Sequence, residues 1–306
     1  MLRNVTAGID GSPESLAAAH WAAQEALRRG AGLNLVHAWF PHPRPAPYVP
    51  LGTSERGWAE VVLKEAVHSV HAAHPGLEIT RRLVRDTPVS ALLEAAGEAE
   101  LLVLGSLGLG SVVGFVTGSV SHRVVGRAPC PVVLVRAGQS AAAEHLPAVD
   151  GVAPEEIPQT PFRAVVLGLD IAHPCDELLE FAFDAARRRD TGLRVVHVFR
   201  APPPAGPGPG PGAAQAPAAG HEVLAAEERA VTAVLRPWCE KFPGVPVTRT
   251  VVEGRAGAEL VRAAAGAGLV VVGRRDGGGR LGAHTGAVAH AVLHHVAAPV
   301  AVVPHV

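Results

Sequence analysis

The sequence predicts an α/β protein with two tandem domains, each an open, mostly parallel, doubly wound (Rossmann-like) sheet of five strands. Two observations support this fold class. Short apolar runs alternate with stretches in which apolar residues recur at helical spacing, which is typical of βα units in parallel sheets. The same series of runs then occurs a second time, so we interpret the chain as a tandem duplication of one unit.

The first half begins with a strand over residues 4–9 that ends at Asp10. Gly11-Ser12-Pro13 then supplies a turn, an N-cap and a favoured first helical residue. The proline-rich residues 41–50 cannot hold a strand ladder and are expected to form an exposed loop. The other predicted elements are, in order, a helix to Arg29, a strand over 33–39, a helix over about 54–73, a strand over about 77–84, a helix from Thr87, a strand over 101–104 and a last strand over 131–135.

A glycine-rich loop follows the fourth strand of this half. It contains Gly105, Gly108, Gly110 and Gly114 and closes on Thr117-Gly118-Ser119, where a helical spacing begins. Glycines let backbone N–H groups approach a phosphate closely, and a helix N-terminus offers unpaired donors. The stretch therefore suggests an anion site, although a tight strand-to-helix connection without a ligand would have the same sequence pattern.

The second half repeats the first after a linker. Gly168 and Asp170 stand where Gly8 and Asp10 stood. The predicted strands of this half cover residues 164–169, 194–199, 247–252, 269–273 and 298–303.

Composition sets the domain boundaries. Residues 138–161 are rich in Ala, Pro, Gln and Glu without periodicity, which predicts a linker between domains over 1–137 and 162–306. The Pro/Gly/Ala tract over residues 201–220 is expected to be disordered or extended and exposed.

The charge balance excludes two classes of partner. The 27 Lys and Arg against 28 Asp and Glu give a net charge of −1, so there is no basic excess for nucleic acid or an anionic membrane. The N-terminus lacks a signal-peptide core and no apolar run reaches bilayer length, which favours a cytoplasmic protein. The widely spaced Cys130, Cys175 and Cys239 are expected to be reduced thiols.

The combination of motifs resembles the ATP-binding branch of the universal stress protein family. Gly105-Ser106-Leu107-Gly108, nine residues and then Gly118-Ser119 match its phosphate motif, and Gly8-Ile9-Asp10 matches the end of its first strand. The His37-Ala38 dipeptide and the Ala-Pro-Cys-Pro entry to the last strand of the first half fall in family order.

The resemblance implies a nucleotide site in each half, built at corresponding positions. In the first half it places Asp10 near the adenine and ribose, the backbone of Ala38 against the adenine, Gly105 at the ribose, and Gly108, Gly118 and Ser119 at the phosphates. The expected second-half residues, for a weaker site, are Asp170, Val198, Gly273 and Gly286. ATP is the implied cofactor, with Mg²⁺ as its companion because no lysine is available to neutralise the phosphates.

The chemistry of these residues agrees with the resemblance. An aspartate at the carboxyl end of a strand lies in the crevice where open α/β sheets bind ligands, and it can accept hydrogen bonds from ribose hydroxyls or an adenine amine. Asp10 as a helix cap, and Ser119 as an N-cap, are the structural alternatives.

Two other nucleotide folds do not fit. A P-loop requires Gly-Lys-Ser/Thr, but the only lysines, Lys64 and Lys241, lie far from any glycine loop. A Rossmann dehydrogenase would place its glycine motif after the first strand rather than the fourth.

No metal site is assigned. His68, His71 and His74 recur at every third residue, and His290 and His294 have an i, i+4 spacing that could bind zinc. Because no Glu or Cys accompanies them in motif spacing, we interpret them as polar helix faces.

These observations favour a nucleotide-dependent regulatory, stress-response protein. No nucleophile with a partnered base and no carboxylate pair at hydrolase spacing is identifiable, so catalysis is not expected. A slow ATPase and a ligand-free dimerisation scaffold are the alternatives.

The last strands of the two halves are expected to pair. They are short and apolar, and would be aggregation-prone edges if left uncovered. The halves should therefore form an intramolecular pseudo-dimer, and a further homodimer of the whole chain is possible.

The halves are expected to differ in their phosphate ends. Asp276 takes the position of Gly108, and Gly286-Ala287 stands for Gly118-Ser119. A carboxylate opposes phosphate and alanine lacks the hydroxyl, so the sequence predicts one tightly bound ATP per chain, in the first half. Gly277-Gly278-Gly279 could swing Asp276 outward, and Arg274, Arg275 and Arg280 could offset phosphate charge.

Overall fold

The computed structural model describes residues 4–41, 50, 53–106, 119–138, 141–147, 160–200, 216–275 and 285–305. Its first half contains β1 (Val5–Ile9), α1 (Pro13–Arg29), β2 (Leu33–Trp39), α2 (Glu55–Ala73), β3 (Ile79–Arg85), α3 (Pro88–Glu98), β4 (Leu101–Ser106), α4 (Ser119–Val125) and β5 (Val132–Arg136). A short 3-10 helix, η1 (Ala141–Glu144), follows. The second half contains β6 (Val165–Gly168), α5 (Asp176–Arg188), β7 (Leu193–Phe199), α6 (Ala216–Lys241), β8 (Val247–Glu253), α7 (Ala256–Ala263), β9 (Leu269–Arg275), α8 (Ala287–His295) and β10 (Val300–His305).

Local sequence explains why α1 begins and ends where it does. The hydroxyl of Ser12 accepts a hydrogen bond from the backbone N–H of Ser15, and Pro13 occupies the first helical turn. Gly30 ends the helix in the left-handed region, at φ 63°. A side chain would be strained there, which accounts for glycine at this position.

All the described strands belong to one sheet, in the order β3-β2-β1-β4-β5-β10-β9-β6-β7-β8. Neighbouring strands within each half are parallel. The halves meet where β5 pairs antiparallel with β10, with Ala301 opposite Val133. The predicted pairing of the last strands is therefore confirmed, as is the prediction of two doubly wound five-stranded units.

The two faces of the sheet carry separate hydrophobic layers that run through both halves. Buried residues of α1, α2, α5 and α6 form one layer, and those of α3, α4, α7 and α8 form the other. Because neither layer stops at the β5–β10 seam, apolar packing joins the halves on both faces.

An ionic cluster joins the halves on the α1 face. Glu25 of α1 accepts hydrogen bonds from Arg28 at 3.0 Å, from Arg29 at 2.7 Å and from Arg189, just beyond α5, at 2.8 Å. The side chains of Glu25 and Arg189 are 1% and 0% exposed. Burial raises the pKa of Glu25, but the three arginines lower it by more, so its net pKa lies well below the usual range.

On the opposite face each half supplies an arginine to the other. Arg136 donates to the carbonyls of Leu293 and His294 at the end of α8, at 3.2 and 3.0 Å. Arg274 donates to the carbonyls of Gly126 and Ala128 beyond α4, at 3.0 and 2.7 Å. Cations suit the negative ends of helices, so these contacts stabilise the junction.

One expectation for an irregular segment is wrong in part. Helix α6 begins at Ala216, within the tract expected to be disordered or extended, while residues 201–215 lie outside the described part. Within the predicted linker, Glu144 is buried and its carboxylate lies 3.7 Å from Arg28 and 3.9 Å from Arg189. Residues 141–147 thus help to bind the halves together.

Candidate functional site

A cavity of about 330 Å³ opens at the carboxyl ends of β1, β2 and β4 in the first half. Helices α1, α3 and α4 contribute the rest of its described walls. Parallel strands place their carboxyl ends on the same edge, so residues far apart in sequence meet there. Four of the predicted site residues line it: Asp10, Ala38, Gly105 and Ser119.

Asp10 is exposed at the mouth of this cavity. Its Oδ1 accepts hydrogen bonds from the backbone N–H of Ser12 at 2.9 Å and from the hydroxyl of Ser12 at 2.6 Å. Ser12, not Asp10, is the N-cap of α1, which excludes the helix-cap alternative for this aspartate. The turn therefore engages Oδ1 of Asp10. Its other carboxylate oxygen, Oδ2, has no hydrogen-bond partner within the described part of the chain.

His37 holds the ends of β1 and β2 together. Its Nδ1 lies 2.6 Å from the carbonyl oxygen of Ile9, and because a carbonyl can only accept, Nδ1 donates. His197 repeats the contact in the second half, at 3.0 Å from the carbonyl of Leu169. These histidines therefore position the loops that carry Asp10 and Asp170.

Gly105 permits a close approach of α1 to β4. A Cβ at this position would lie 2.6 Å from the backbone carbon of Glu14 and 2.7 Å from the backbone nitrogen of Ser15. Helix packing alone thus requires glycine here, whatever ligand the cavity takes. The residue still lines the cavity, so both roles are compatible.

The phosphate end of the predicted site is described only in part. Ser119, the first residue of α4, is exposed and lines the cavity. Gly108 and Gly118 lie outside the described residues. Ser121, which the sequence did not indicate, donates its hydroxyl to the Gly105 carbonyl at 3.1 Å and fixes α4 against the end of β4.

The described walls of the first cavity are acidic. Asp10 and Glu14 line it, and no lysine or arginine is among its described lining residues. Because two carboxylates line this cavity without a fixed cation, binding of an anion is disfavoured unless a cation accompanies it.

The second half has a corresponding cavity of about 490 Å³. All four residues predicted for this half line it: Asp170, Val198, Gly273 and Gly286. Asp276, predicted to oppose phosphate binding, lies outside the described residues.

Asp170 is engaged differently from its counterpart Asp10. Its Oδ1 accepts from the backbone N–H of Ala172 at 3.1 Å, while Oδ2 lies 3.0 Å from the guanidinium of Arg275 and 3.2 Å from Nδ1 of His173. An arginine therefore occupies the carboxylate oxygen that Asp10 leaves accessible.

Sequence reasoning missed part of the second cavity. Thr285 lines it, is 5% exposed, and its hydroxyl has no hydrogen-bond partner among the described residues. Arg275 was visible in the sequence as a possible phosphate partner, but its pairing with Asp170 is a tertiary contact across 105 positions. The alignment of Thr285 with Thr117 was the available signal for the threonine.

Within the described residues, no group of three or more His, Cys, Asp or Glu side chains is arranged to hold a metal ion. None of the described helices combines the length and apolarity needed to cross a bilayer.

Comparisons with known proteins agree on one family. The sequence profile of the universal stress protein family matches residues 1–136 and again 161–304. Universal stress protein Rv2005c of Mycobacterium tuberculosis is 35% identical over 310 residues, covering 97% of this chain and 96% of that protein.

A solved structure that matches nearly the whole chain shows the same fold. A universal stress protein from Archaeoglobus fulgidus has a TM-score of 0.67 at 16% identity and covers 98% of both chains. A universal stress protein crystallised in complex with cAMP is 33% identical, covers 45% of this chain and 98% of its own, and has a TM-score of 0.36.

Proposed function

The chain belongs to the universal stress protein family, and on that premise we propose that its first half binds ATP together with Mg²⁺. The nucleotide would make the chain a regulatory protein whose state depends on ATP. The observation that carries the proposal is that one cavity at the carboxyl edge of the sheet is lined by four of the predicted site residues. They are Asp10, Ala38, Gly105 and Ser119.

The cavity suits the parts of ATP in turn. The accessible Oδ2 of Asp10 can accept hydrogen bonds from ribose hydroxyls. The backbone of Ala38 lies at the end of β2, where it can meet the edge of a base, and the hydroxyl of Ser119 can donate to a phosphate oxygen. Apolar side chains such as Val36 and Leu92 line the same cavity and offer surface to an adenine ring.

The acidic character of the cavity supports Mg²⁺ as a companion. Carboxylate and phosphate oxygens are the ligands that Mg²⁺ prefers, and Glu14 supplies a carboxylate besides that of Asp10, which would bind the ribose. When bound, the cation would offset the phosphate charge. The protein's own residues would orient the nucleoside and exclude water from the base.

The stress-response role, a cytoplasmic location and pairing of two chains belong to the same proposal. The first rests on family membership and the second on the sequence composition. Pairing of whole chains would be measured by analytical ultracentrifugation with and without nucleotide.

Mass spectrometry of nucleotide released from freshly purified, denatured protein tests the proposal first. ATP is the expected species, and its absence from protein that also fails to bind added ATP with Mg²⁺ would contradict the proposal. The matched variants are Asp10→Asn and Asp170→Asn. Loss of a hydrogen bond to a charged group costs about 1.5–3 kcal/mol, so Asp10→Asn should weaken ATP binding roughly 10- to 150-fold. Asp170→Asn should leave the first site unchanged.

A further inference from the structure

We propose that the second cavity binds a nucleoside monophosphate without a divalent cation, with Arg275 as its phosphate anchor. This inference rests on the proposed nucleotide function of these cavities, but it assigns the second one a different ligand and a different source of positive charge.

The two cavities have opposite charge in their described walls. Asp10 and Glu14 line the first without a lysine or arginine. Arg274, Arg275 and two histidines line the second, against the single carboxylate of Asp170. A phosphate in the second cavity therefore meets fixed cations of the protein, and does not require Mg²⁺.

Arg275 and Asp170 can exchange partners when a ligand enters. Their side chains are 51% and 59% exposed and their ion pair is 3.0 Å long, so solvent screens it and little is lost when it opens. Arg275 could then engage a phosphate in a charge-assisted hydrogen bond. The same movement removes the arginine from Asp170 Oδ2, which then has His173 at 3.2 Å as its remaining partner and can also accept a hydrogen bond from a ribose hydroxyl.

A buried hydroxyl and an uncapped helix mark the place of the phosphate. Thr285 immediately precedes Gly286, the N-cap of the nine-residue α8, and no side chain caps that helix. Thr285 lines the cavity, and its hydroxyl is buried without a hydrogen-bond partner within the described part of the chain. A buried unpaired hydroxyl is unfavourable, so a ligand oxygen would satisfy it while the backbone N–H groups of α8 face the same anion.

The number of donors suits one phosphate group rather than three. Arg274 is already engaged with the carbonyls of Gly126 and Ala128, which leaves Arg275 as the exchangeable arginine among the described lining residues. Ala287 replaces Ser119, so the first residue of α8 lacks the side-chain donor that the first residue of α4 has.

The other end of the cavity can hold a base. Val196, Val198, Leu260 and Val272 line it and form an apolar surface between the sheet and α7. A planar heterocycle buries well against such a surface, which favours a nucleoside monophosphate over inorganic phosphate.

The test is calorimetric titration of the full chain with AMP in EDTA. We expect one AMP site per chain, at least tenfold weaker in Arg275→Gln and several-fold weaker in Thr285→Val. Arg275→Lys should retain part of the affinity because it keeps the charge. Arg262→Gln, an exposed arginine of α7 paired with Glu259, is the matched control and should change nothing.

Several outcomes would overturn the inference. They are no AMP binding in EDTA, AMP binding that requires Mg²⁺, unchanged affinity in both Arg275→Gln and Thr285→Val, or loss of the AMP site in Asp10→Asn. Titration of the same variants with ATP and Mg²⁺ separates this inference from the proposed function. A first-half ATP site without a second-half AMP site defeats only the inference, and the reverse result defeats only the proposed ATP site.

Discussion

The two cavities share a framework and differ in charge. Each lies at the carboxyl edge of the sheet. In each half, a histidine near the end of the second strand is hydrogen-bonded to the carbonyl just before the aspartate. In the first half that aspartate has an accessible oxygen, and in the second half the corresponding oxygen is paired with Arg275. Duplication of one unit has thus kept the backbone geometry while the side chains that would meet an anion have diverged.

Substitution of the phosphate glycines should have the largest effect. A valine at Gly118 would hold the backbone away from the phosphates, so Gly118→Val is expected to abolish ATP binding in the first half. Gly286→Val changes the corresponding position of the second half and should leave ATP binding in the first half intact. Equilibrium dialysis with labelled ATP measures both, and equal losses in the two variants would show that the halves do not differ as proposed.

The buried ionic junction should contribute most to stability. Removing one partner of a buried ion pair costs about 3–5 kcal/mol, so Glu25→Ala should lower the free energy of unfolding by that order, since it leaves the buried Arg189 with only the more distant Glu144 carboxylate, at 3.9 Å. Glu60→Ala removes an exposed pair with Arg56 and should cost less than about 1 kcal/mol. Urea unfolding measures both, and similar losses would contradict a structural role for the junction.

The histidines where α4 meets α8 predict that stability depends on pH. His122 of α4 and His290 of α8 occupy corresponding positions, and their ring centroids lie 6.0 Å apart. His294 packs against His290, whereas its counterpart in the first half is Gly126. Burial, followed by the charges of His290, His295, His122 and Arg136, lowers the pKa of His294 below 6.5.

The sign follows from proton linkage. A histidine whose folded pKa is depressed binds more protons in the unfolded state, so its contribution to stability is present above pH 6.5 and is lost as the pH falls below that value. His294→Gln should make the free energy of unfolding fall less steeply between pH 7 and pH 5. Parallel pH profiles for wild type and His294→Gln would refute this.

The hydroxyl of Ser119 should have the smallest effect. One hydrogen bond is worth about 0.5–1.5 kcal/mol net, so Ser119→Ala should weaken ATP binding in the first half roughly 2- to 13-fold. Ala287→Ser, the reciprocal change in the second half, should not alter ATP binding in the first half. Competition against a fluorescent ATP analogue is sensitive enough to detect such a difference, and no change in Ser119→Ala would exclude a phosphate contact.

The spacing of apolar residues, together with turn and capping residues, was enough to predict the strands, the duplication and the pairing of β5 with β10. Local signals explain this success: Ser12-Pro13 begins α1, Gly30 ends it, and short apolar runs mark the central strands. Asp10 and Asp170 each follow a strand of the parallel sheet. Because the carboxyl ends of parallel strands lie at one edge of the sheet, both residues lie at the cavities there.

What could not be predicted depends on contacts that are distant in sequence. The Asp170–Arg275 pair spans 105 residues, and the contact of Arg189 with Glu25 spans 164. The buried Glu144 lies in a segment whose composition indicates a linker, and only the packing of both halves around it explains its burial. The proline- and alanine-rich start of α6 likewise became helical against the expectation from composition.

The most direct test is titration of nucleotide-free protein with ATP in excess Mg²⁺ and then in EDTA. If the first half depends on an added cation, one tight ATP site per chain should appear with Mg²⁺ and be lost or greatly weakened in EDTA, while AMP still binds the second half. Two equal, tight ATP sites, or a single ATP affinity that does not respond to Mg²⁺, would contradict the division of the two cavities by charge.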